Sequence, residues 1–297
     1  MITTGKIGRF VRVFLVSLVL AGCGKKTEVP PDHPRLTPHV RMQDVTFRSA
    51  SLNRDIQYRV ILPNPITNQQ KFPVVYLLHG RGGNYRDWSN YSDVAKYAES
   101  GVILVMPEGA SSYYTNAVGR PEDRYEDYIV KDLVTDVESK FPAANERGKR
   151  AIAGVSMGGY GAIKLALVHP ELFVFAGGMS PAIDVPSRPF SITRWGQWRS
   201  HRAIFGPWDG EVQHKNDPFV LAGTVDPKNV PYIFLSCGEQ EGLLLSNRKF
   251  SRLLTARHFQ FESDFGPGSH DWNQWNGQIP ILFRSLMAHL GKDDSGK

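Results

Sequence analysis

The chain has 297 residues, 41% of them hydrophobic and 22% charged, with a formal net charge of +6. That length and apolar content suit one sizeable α/β domain, whose core is large enough to need no staples, rather than several small ones. The positive balance is weak. Lys6, Arg9 and Arg12 supply part of it from the first dozen residues, and no Lys/Arg stripe is interleaved with aromatics, so nothing points to nucleic acid as a partner.

The first predicted element is a targeting segment. Basic residues up to Arg12 precede an apolar run, Val13 to Leu20, which is too short to span a bilayer and ends in the small residues Ala21 and Gly22. Lys25, Lys26 and the prolines at 30, 31, 34 and 38 follow, a composition that makes an extended tether. The tetrad Leu20-Ala21-Gly22-Cys23 resembles the bacterial lipobox. The resemblance implies cleavage before Cys23, acylation of that cysteine, and stable membrane attachment through more than one chain. Gly24 stands where an Asp would retain such a protein at the inner membrane, so an outer-membrane destination is implied where there is one. The expected organisation is a signal over 1–22, a lipidated Cys23 and tether over 23–39, a catalytic domain over 40–292 and a polar tail over 293–297. The other cysteine, Cys237, lies in an apolar run and reads as a buried, inert thiol, so no disulfide framework exists. No CxxC, HExxH or Walker A pattern occurs, and no metal or cofactor is implied.

From about Val40, strand-like runs alternate with helical ones, the pattern of a mostly parallel sheet covered on both faces. Ile56, Tyr58, Val60 and Leu62 alternate with polar neighbours and predict an antiparallel edge hairpin with Val45 to Arg48. Runs at 73–78, 102–106, 151–155, 173–178, 232–237 and 259–265 predict strands at the centre of a buried sheet. A helix is expected over 125–141, its acids forming a solvated face.

Gly154-Val155-Ser156-Met157-Gly158-Gly159 falls between a strand and the helical stretch Tyr160 to Val168. This is the GxSxG nucleophile elbow in the strand-turn-helix context it requires. A sharp turn lifts the serine hydroxyl out of the sheet, glycines on either side let the backbone fold tightly, and the helix N-terminus places a positive dipole end under a developing oxyanion.

With Leu78-His79-Gly80-Arg81-Gly82-Gly83, Cys237-Gly238 through Asn247-Arg248, and His270-Asp271-Trp272 with Trp275 in the same order, the chain resembles the esterase family that takes in esterase D, S-formylglutathione hydrolases, feruloyl and acetylxylan esterases and the mycolyltransferases. The likeness covers about residues 40 to 291. It implies an α/β-hydrolase fold and a serine hydrolase cleaving carboxylic esters through an acyl-enzyme, here at the cell envelope. Acyl transfer to a sugar or lipid acceptor is the alternative within that chemistry. A non-catalytic ligand-binding lipoprotein is the alternative in another class, and a peptidase on the same fold is a third reading. The expected partners are a small-molecule or glycan ester and, through the anchor, a membrane.

Of nine histidines, His270 alone falls in a loop after the last strand, where the order nucleophile, acid, base requires the base. His79 reads as a residue that shapes the glycine-rich loop. The acid is less regular. The family places an Asp shortly after the strand ending at Cys237, whereas this chain has Gly238-Glu239-Gln240-Glu241-Gly242. Glu241 aligns with the expected carboxylate, its extra methylene requiring the loop to adjust; Glu239, Asp264 and Asp271 are the alternatives. The Met157 N–H, next to the nucleophile, is one expected oxyanion donor, and the resemblance implies the N–H of Arg81 as the second. Tyr113 and Asn116 are candidate substrate contacts. Trp195, Trp198, Phe205 and Trp208, in the connection 181–231, either line a substrate pocket or pack a small helical lid, and Trp195 is a pocket candidate. Trp272 is a further candidate contact and, with Trp275, an expected buttress for His270.

Overall fold

A computed structural model describes residues 1, 31–66, 71–189 and 195–291. The chain divides into two units, Met1–Pro31 and Asp32–Lys297. The expected signal, Cys23 and Gly24 lie outside the described residues, and every described strand and helix belongs to the second unit.

Two long strands, β1 (Val40–Ser49) and β2 (Arg54–Pro63), open the sheet as an antiparallel pair in which Val45 faces Tyr58 and Phe47 faces Ile56. After β3 (Val74–Leu78) come α1 (Asp87–Tyr91), a 3-10 segment Val94–Ser100, and β4 (Ile103–Pro107). A short α2 (Tyr125–Asp127) runs through a π-helical stretch, Tyr128–Leu133, into α3 (Val134–Lys140), so the single helix expected here changes its hydrogen-bond spacing twice. Next are β5 (Arg150–Val155), α4 (Met157–Val168), β6 (Phe175–Met179), α5 (Trp195–Phe205), α6 (Glu211–Lys215) and α7 (Pro218–Thr224). The last elements are β7 (Tyr232–Gly238), α8 (Leu244–Ala256), β8 (Phe261–Gly266) and α9 (Trp272–His289).

The described strands form one eight-stranded sheet in the order β1-β2-β4-β3-β5-β6-β7-β8, parallel from β4 to β8. Alternation along β3 builds the two cores: Val74, Tyr76 and Leu78 face the layer of α2, α3, α4 and α8, while Val75 and Leu77 face α1, the 3-10 segment and α9. This is the α/β-hydrolase architecture with helices on both faces. One strand departs from expectation. β8 is the sheet edge and only half-buried, because Glu262, Ser263 and Asp264 interrupt its apolar residues. Among the described residues no helix is long and apolar enough to cross a membrane.

The domain begins earlier than expected. Arg59, fully buried on β2, is held by two carboxylates: its Nη2 donates to Asp32 at 2.6 Å and its Nε to Asp44 at 2.6 Å, while Nη1 reaches Ser89 Oγ at 2.9 Å. Burial disfavours the guanidinium charge, but these bonds outweigh it and raise the pKa. The Arg35 N–H donates to the Ser89 carbonyl at 2.8 Å. Residues 32–35 of the expected tether are thus docked, which moves the boundary from 40 to 32.

The acids of the interrupted helix over 125–140 do not form a solvated face either. Asp132 accepts from Ser49 Oγ at 2.5 Å, Asp136 from Tyr58 Oη at 2.6 Å, and Glu138 from Arg150 Nη2 at 2.7 Å. Glu126 reaches Lys164 Nζ at 2.5 Å and His169 Nε2 at 2.9 Å. Lys164 lies wholly inside, on α4, where burial depresses its pKa against the pull of Glu126. Burial acts on Glu126 too, but Lys164 and His169 prevail and bring it from 4.5 to about 2. Its lowered pKa makes its contribution to stability complete above pH 4.5 and lost as the pH falls toward about 2. Glu126→Gln leaves a buried ammonium uncompensated and should cost roughly 3–5 kcal/mol in urea unfolding at pH 7. Adding Lys164→Met should recover at least half of that loss, and the gap between wild type and Glu126→Gln should narrow below about pH 4.5.

Candidate active site

Ser156 sits at the tightest point of the β5–α4 turn, with φ 55° and ψ −113°, a region that a residue with a side chain seldom occupies. Its neighbours hold it there. The Ser156 N–H donates to the Met179 carbonyl at 2.9 Å, and its own carbonyl accepts from Tyr160 and Ala182. The flanking glycines are steric necessities: a Cβ on Gly158 would lie 2.2 Å from the Leu78 carbonyl oxygen, and one on Gly154 would lie 2.3 Å from the Gly158 carbonyl carbon.

A continuous hydrogen-bond chain leads away from this serine. His270, in the loop between β8 and α9, places Nε2 2.8 Å from Ser156 Oγ and Nδ1 2.6 Å from Glu241 Oε2. A carboxylate only accepts, so Nδ1 carries the proton and Nε2 is free to accept the serine's. Glu241 follows β7, and its side chain is fully buried. Its second oxygen, Oε1, accepts from Ser180 Oγ at 2.5 Å and from the Gly238 N–H at 2.8 Å. Burial pushes the Glu241 carboxyl up, but bonds from His270, Ser180 and Gly238 outweigh that and hold it below its ordinary 4.5. The alternative acids have other tasks. Glu239 pairs with Arg248 at 3.3 Å on the surface, and Asp271 caps α9 by accepting from the Asn273 and Gln274 N–H groups. Asp264 stands midway along the edge strand β8. Cys237, beside Glu241, is buried and its thiol pushed up to about 12 by burial and the adjacent carboxylate, which leaves it unreactive.

Ser180 is a member of this chain that sequence reasoning missed. It holds φ 46° directly after β6, and besides donating to Glu241 it accepts from Trp275 Nε1 at 3.0 Å. The available signal was its place at the carboxyl end of a parallel strand, the edge of the sheet where Ser156 and Glu241 also emerge. Trp275 also packs edge-on against the His270 ring at 5.2 Å, so it does buttress the histidine. Trp272 acts at one remove, 5.2 Å from Trp275 and 5.6 Å from Trp88, whose Nε1 donates to the Leu78 carbonyl.

The loop after β3 lies against the serine: a methyl on Gly80 would sit 3.6 Å from Ser156 Cβ. His79 shapes that loop, with Nδ1 donating to the Gly80 carbonyl at 2.8 Å and Nε2 accepting from the Gly109 N–H at 2.9 Å. Arg81 follows with an exposed side chain, and Met157 N–H is the first amide of α4, whose opening amides have no acceptor within the helix.

Beyond Arg81 opens a cavity of about 270 Å³, lined among others by Tyr113, Arg188, Trp198 and His201. Tyr113, expected as a substrate contact, is therefore on its wall. Asn116 is not in that lining; its amide donates to Asp127 Oδ2 at 3.0 Å and accepts from the Asp127 N–H at 3.2 Å, which commits it to bracing α2. Of the aromatics in the long connection, Phe205 is buried against Tyr113 and Tyr160, Trp198 lines the cavity, and Trp208 is exposed. The Trp195 side chain lies outside the described residues. Among the described residues no group of three or more His, Cys, Asp or Glu side chains is placed to hold a metal ion.

Known proteins share this arrangement of strands and helices. Residues 49–285 match the model of the family described as "Putative esterase". The chain is 26% identical over 257 residues to an acetyl esterase of Caldicellulosiruptor saccharolyticus, covering 82% of this chain and 96% of that protein. It is 26% identical over 289 residues to the diacylglycerol acyltransferase/mycolyltransferase Ag85A of Mycobacterium leprae (strain TN), covering 86% and 85%. Among solved structures, the fluorophosphonate-binding serine hydrolase FphF of Staphylococcus aureus superposes with a TM-score of 0.73 at 25% identity, over 85% of this chain and 99% of that one. A ferulic acid esterase shares the fold, with a TM-score of 0.74 at 23% identity over 85% and 99%. The family match spans most of the chain, which belongs to this esterase family and is a carboxylesterase-type serine hydrolase.

Proposed function

We propose that Ser156, His270 and Glu241 are the catalytic triad of this esterase and that the N–H groups of Arg81 and Met157 form its oxyanion hole. The observation that carries the reading is the chain from Ser156 Oγ through the imidazole to a buried carboxylate. In the first half-reaction His270 Nε2 takes the Ser156 proton as Oγ bonds to the ester carbonyl carbon. The carbonyl oxygen becomes negative between the Arg81 and Met157 N–H groups, and the carbon–oxygen bond to the alcohol breaks as His270 returns the proton to the departing oxygen. Water repeats the sequence on the acyl-enzyme, giving the acid and free Ser156. Glu241 keeps the imidazole in its Nδ1–H form throughout.

The substrate we infer is a small-molecule or glycan ester whose smaller group fits a space of about 270 Å³, in keeping with relatives named acetyl esterase and endo-1,4-beta-xylanase/feruloyl esterase. The match to the mycobacterial acyltransferase supports a second reading, in which a sugar or lipid hydroxyl replaces water. We place the enzyme at the cell envelope as an exported lipoprotein, on the strength of Leu20-Ala21-Gly22-Cys23 and Gly24.

Ser156→Ala should remove fluorophosphonate labelling and lower turnover of short p-nitrophenyl esters by on the order of 10⁴-fold or more, and Glu241→Gln should lower kcat by roughly 10³-fold with labelling slowed. Persistent labelling of a folded Ser156→Ala protein would reject the assignment. Ser180 is a positioning residue. Ser180→Ala should lower kcat about tenfold with KM unchanged. Cys23→Ala should shift the expressed protein from the membrane to the soluble fraction; unchanged membrane retention would overturn the lipid anchor.

A further inference from the structure

The cavity lined by Arg81, the residue after the Gly80 that lies against Ser156, is strongly one-sided in charge. Arg81 and Arg188 both line it, and no carboxylate is among its described lining residues. Among the described residues no carboxylate lies within ion-pair distance of Arg81, while Arg188 pairs with Asp184, at 2.5 Å, a residue outside the described lining. His201 adds no charge there. Its Nε2–H donates to the Val185 and Pro186 carbonyls at 2.8 and 3.0 Å, and burial lowers its pKa. Around these groups α5 contributes further cations, with Arg202 over the Trp198 ring at 5.4 Å. Tyr113 and Trp198 line the same cavity and give it aromatic walls.

An exposed arginine is ordinarily a solvated side chain. Exposed Arg81 and half-buried Arg188, bordering one concave space with aromatic walls and no carboxylate among its described lining residues, make a site for a carboxylate, since a guanidinium fork binds that group with charge-assisted, often paired, hydrogen bonds. The geometry points to an ester that bears a carboxylate as the preferred substrate of this enzyme, with the anion seated between Arg81 and Arg188. The inference rests on the esterase reading above and adds a substrate class to it. Asp184 sets the strength of the site by occupying part of the Arg188 fork.

The test uses two matched pairs, which separate an anion on the acyl side from one on the alcohol side. Mono-4-nitrophenyl succinate is compared with 4-nitrophenyl valerate, and 4-acetoxybenzoate with 4-acetoxybenzamide, by kcat/KM on the full catalytic domain. In at least one pair the carboxylate ester should be favoured about tenfold, and the preference should weaken with added salt. Arg188→Gln should reduce that ratio severalfold, Arg188→Lys should retain part of it, and Asp184→Asn should raise it roughly twofold or more by freeing the fork. A ratio of one or below in both pairs overturns the inference and leaves the esterase intact. Failure to cleave either carboxylate ester also overturns it, and fluorophosphonate labelling of Ser156 then reports whether the esterase reading falls as well. Opposite responses of Asp184→Asn and Arg188→Gln, at unchanged melting temperature, distinguish recognition from a loss of packing.

Discussion

The site depends on a turn with no room for a side chain on either flank. Gly154 and Gly158 meet backbone against backbone, and Gly158 also presses on the carbonyl of Leu78, so strand β5, helix α4 and the end of strand β3 touch at one point. This contact forces Ser156 into its unusual backbone conformation, and bonds from the serine's main chain to Met179, Tyr160 and Ala182 keep it there. It also sets the Gly80–Arg81 loop against the nucleophile, because that loop begins where Leu78 ends. The Ser156 hydroxyl and the Gly80–Arg81 loop are thus positioned by one packing event.

Around that point the protein places ionised groups where a simple core would be apolar. Arg59, Lys164 and Arg150 are buried or nearly so, and each faces a carboxylate from another element. Such pairs add little net stability over apolar side chains, but a mispacked element would strand a charge, so they select one arrangement of strands and helices. Glu138 works in this way on Arg150, and Asp132 and Asp136 add hydrogen bonds from the Ser49 and Tyr58 hydroxyls, so that the interrupted helix over 125–140 is tied to β5, β1 and β2. Asp32 does the same for the first residues of the domain through Arg59.

The legible parts of the sequence were those written in local pattern. The GxSxG elbow, the apolar strand runs and the β1–β2 hairpin depend on neighbouring residues, and a histidine confined to the last loop can be located by order along the chain. What stayed hidden depends on contacts far apart in sequence. Ser180 is an ordinary serine until β6 and β7 lie side by side and bring it to Glu241, 61 positions later. The acids of the interrupted helix over 125–140 look like a solvated face because amphipathic spacing says nothing of the Ser, Tyr and Arg groups that a neighbouring strand will present. Asn116 sits in a segment close to the site, yet Asp127 claims its amide, and β8 shows strand propensity without revealing that it will be an edge.

The glutamate at 241 stands where the resemblance implies an aspartate, and the loop that carries it is built around its longer side chain. A carboxylate one methylene longer than aspartate would overshoot the imidazole from an unchanged loop. Here the loop turns back on itself, with the Glu241 N–H donating to the Gly238 carbonyl at 3.2 Å while the Gly238 N–H donates to Oε1 at 2.8 Å. The turn is possible because residue 238 has no side chain: a Cβ there would lie 3.0 Å from Oε1 and 2.2 Å from the Gly268 carbonyl oxygen, in the loop that carries His270. Gly238 therefore sets two positions, the carboxylate's and the histidine loop's. Ser180 and Trp275 then fix Oε1 and the imidazole ring from the other side. With Oε1 held in this way, Oε2 lies 2.6 Å from Nδ1, so the glutamate reaches the imidazole at hydrogen-bond distance.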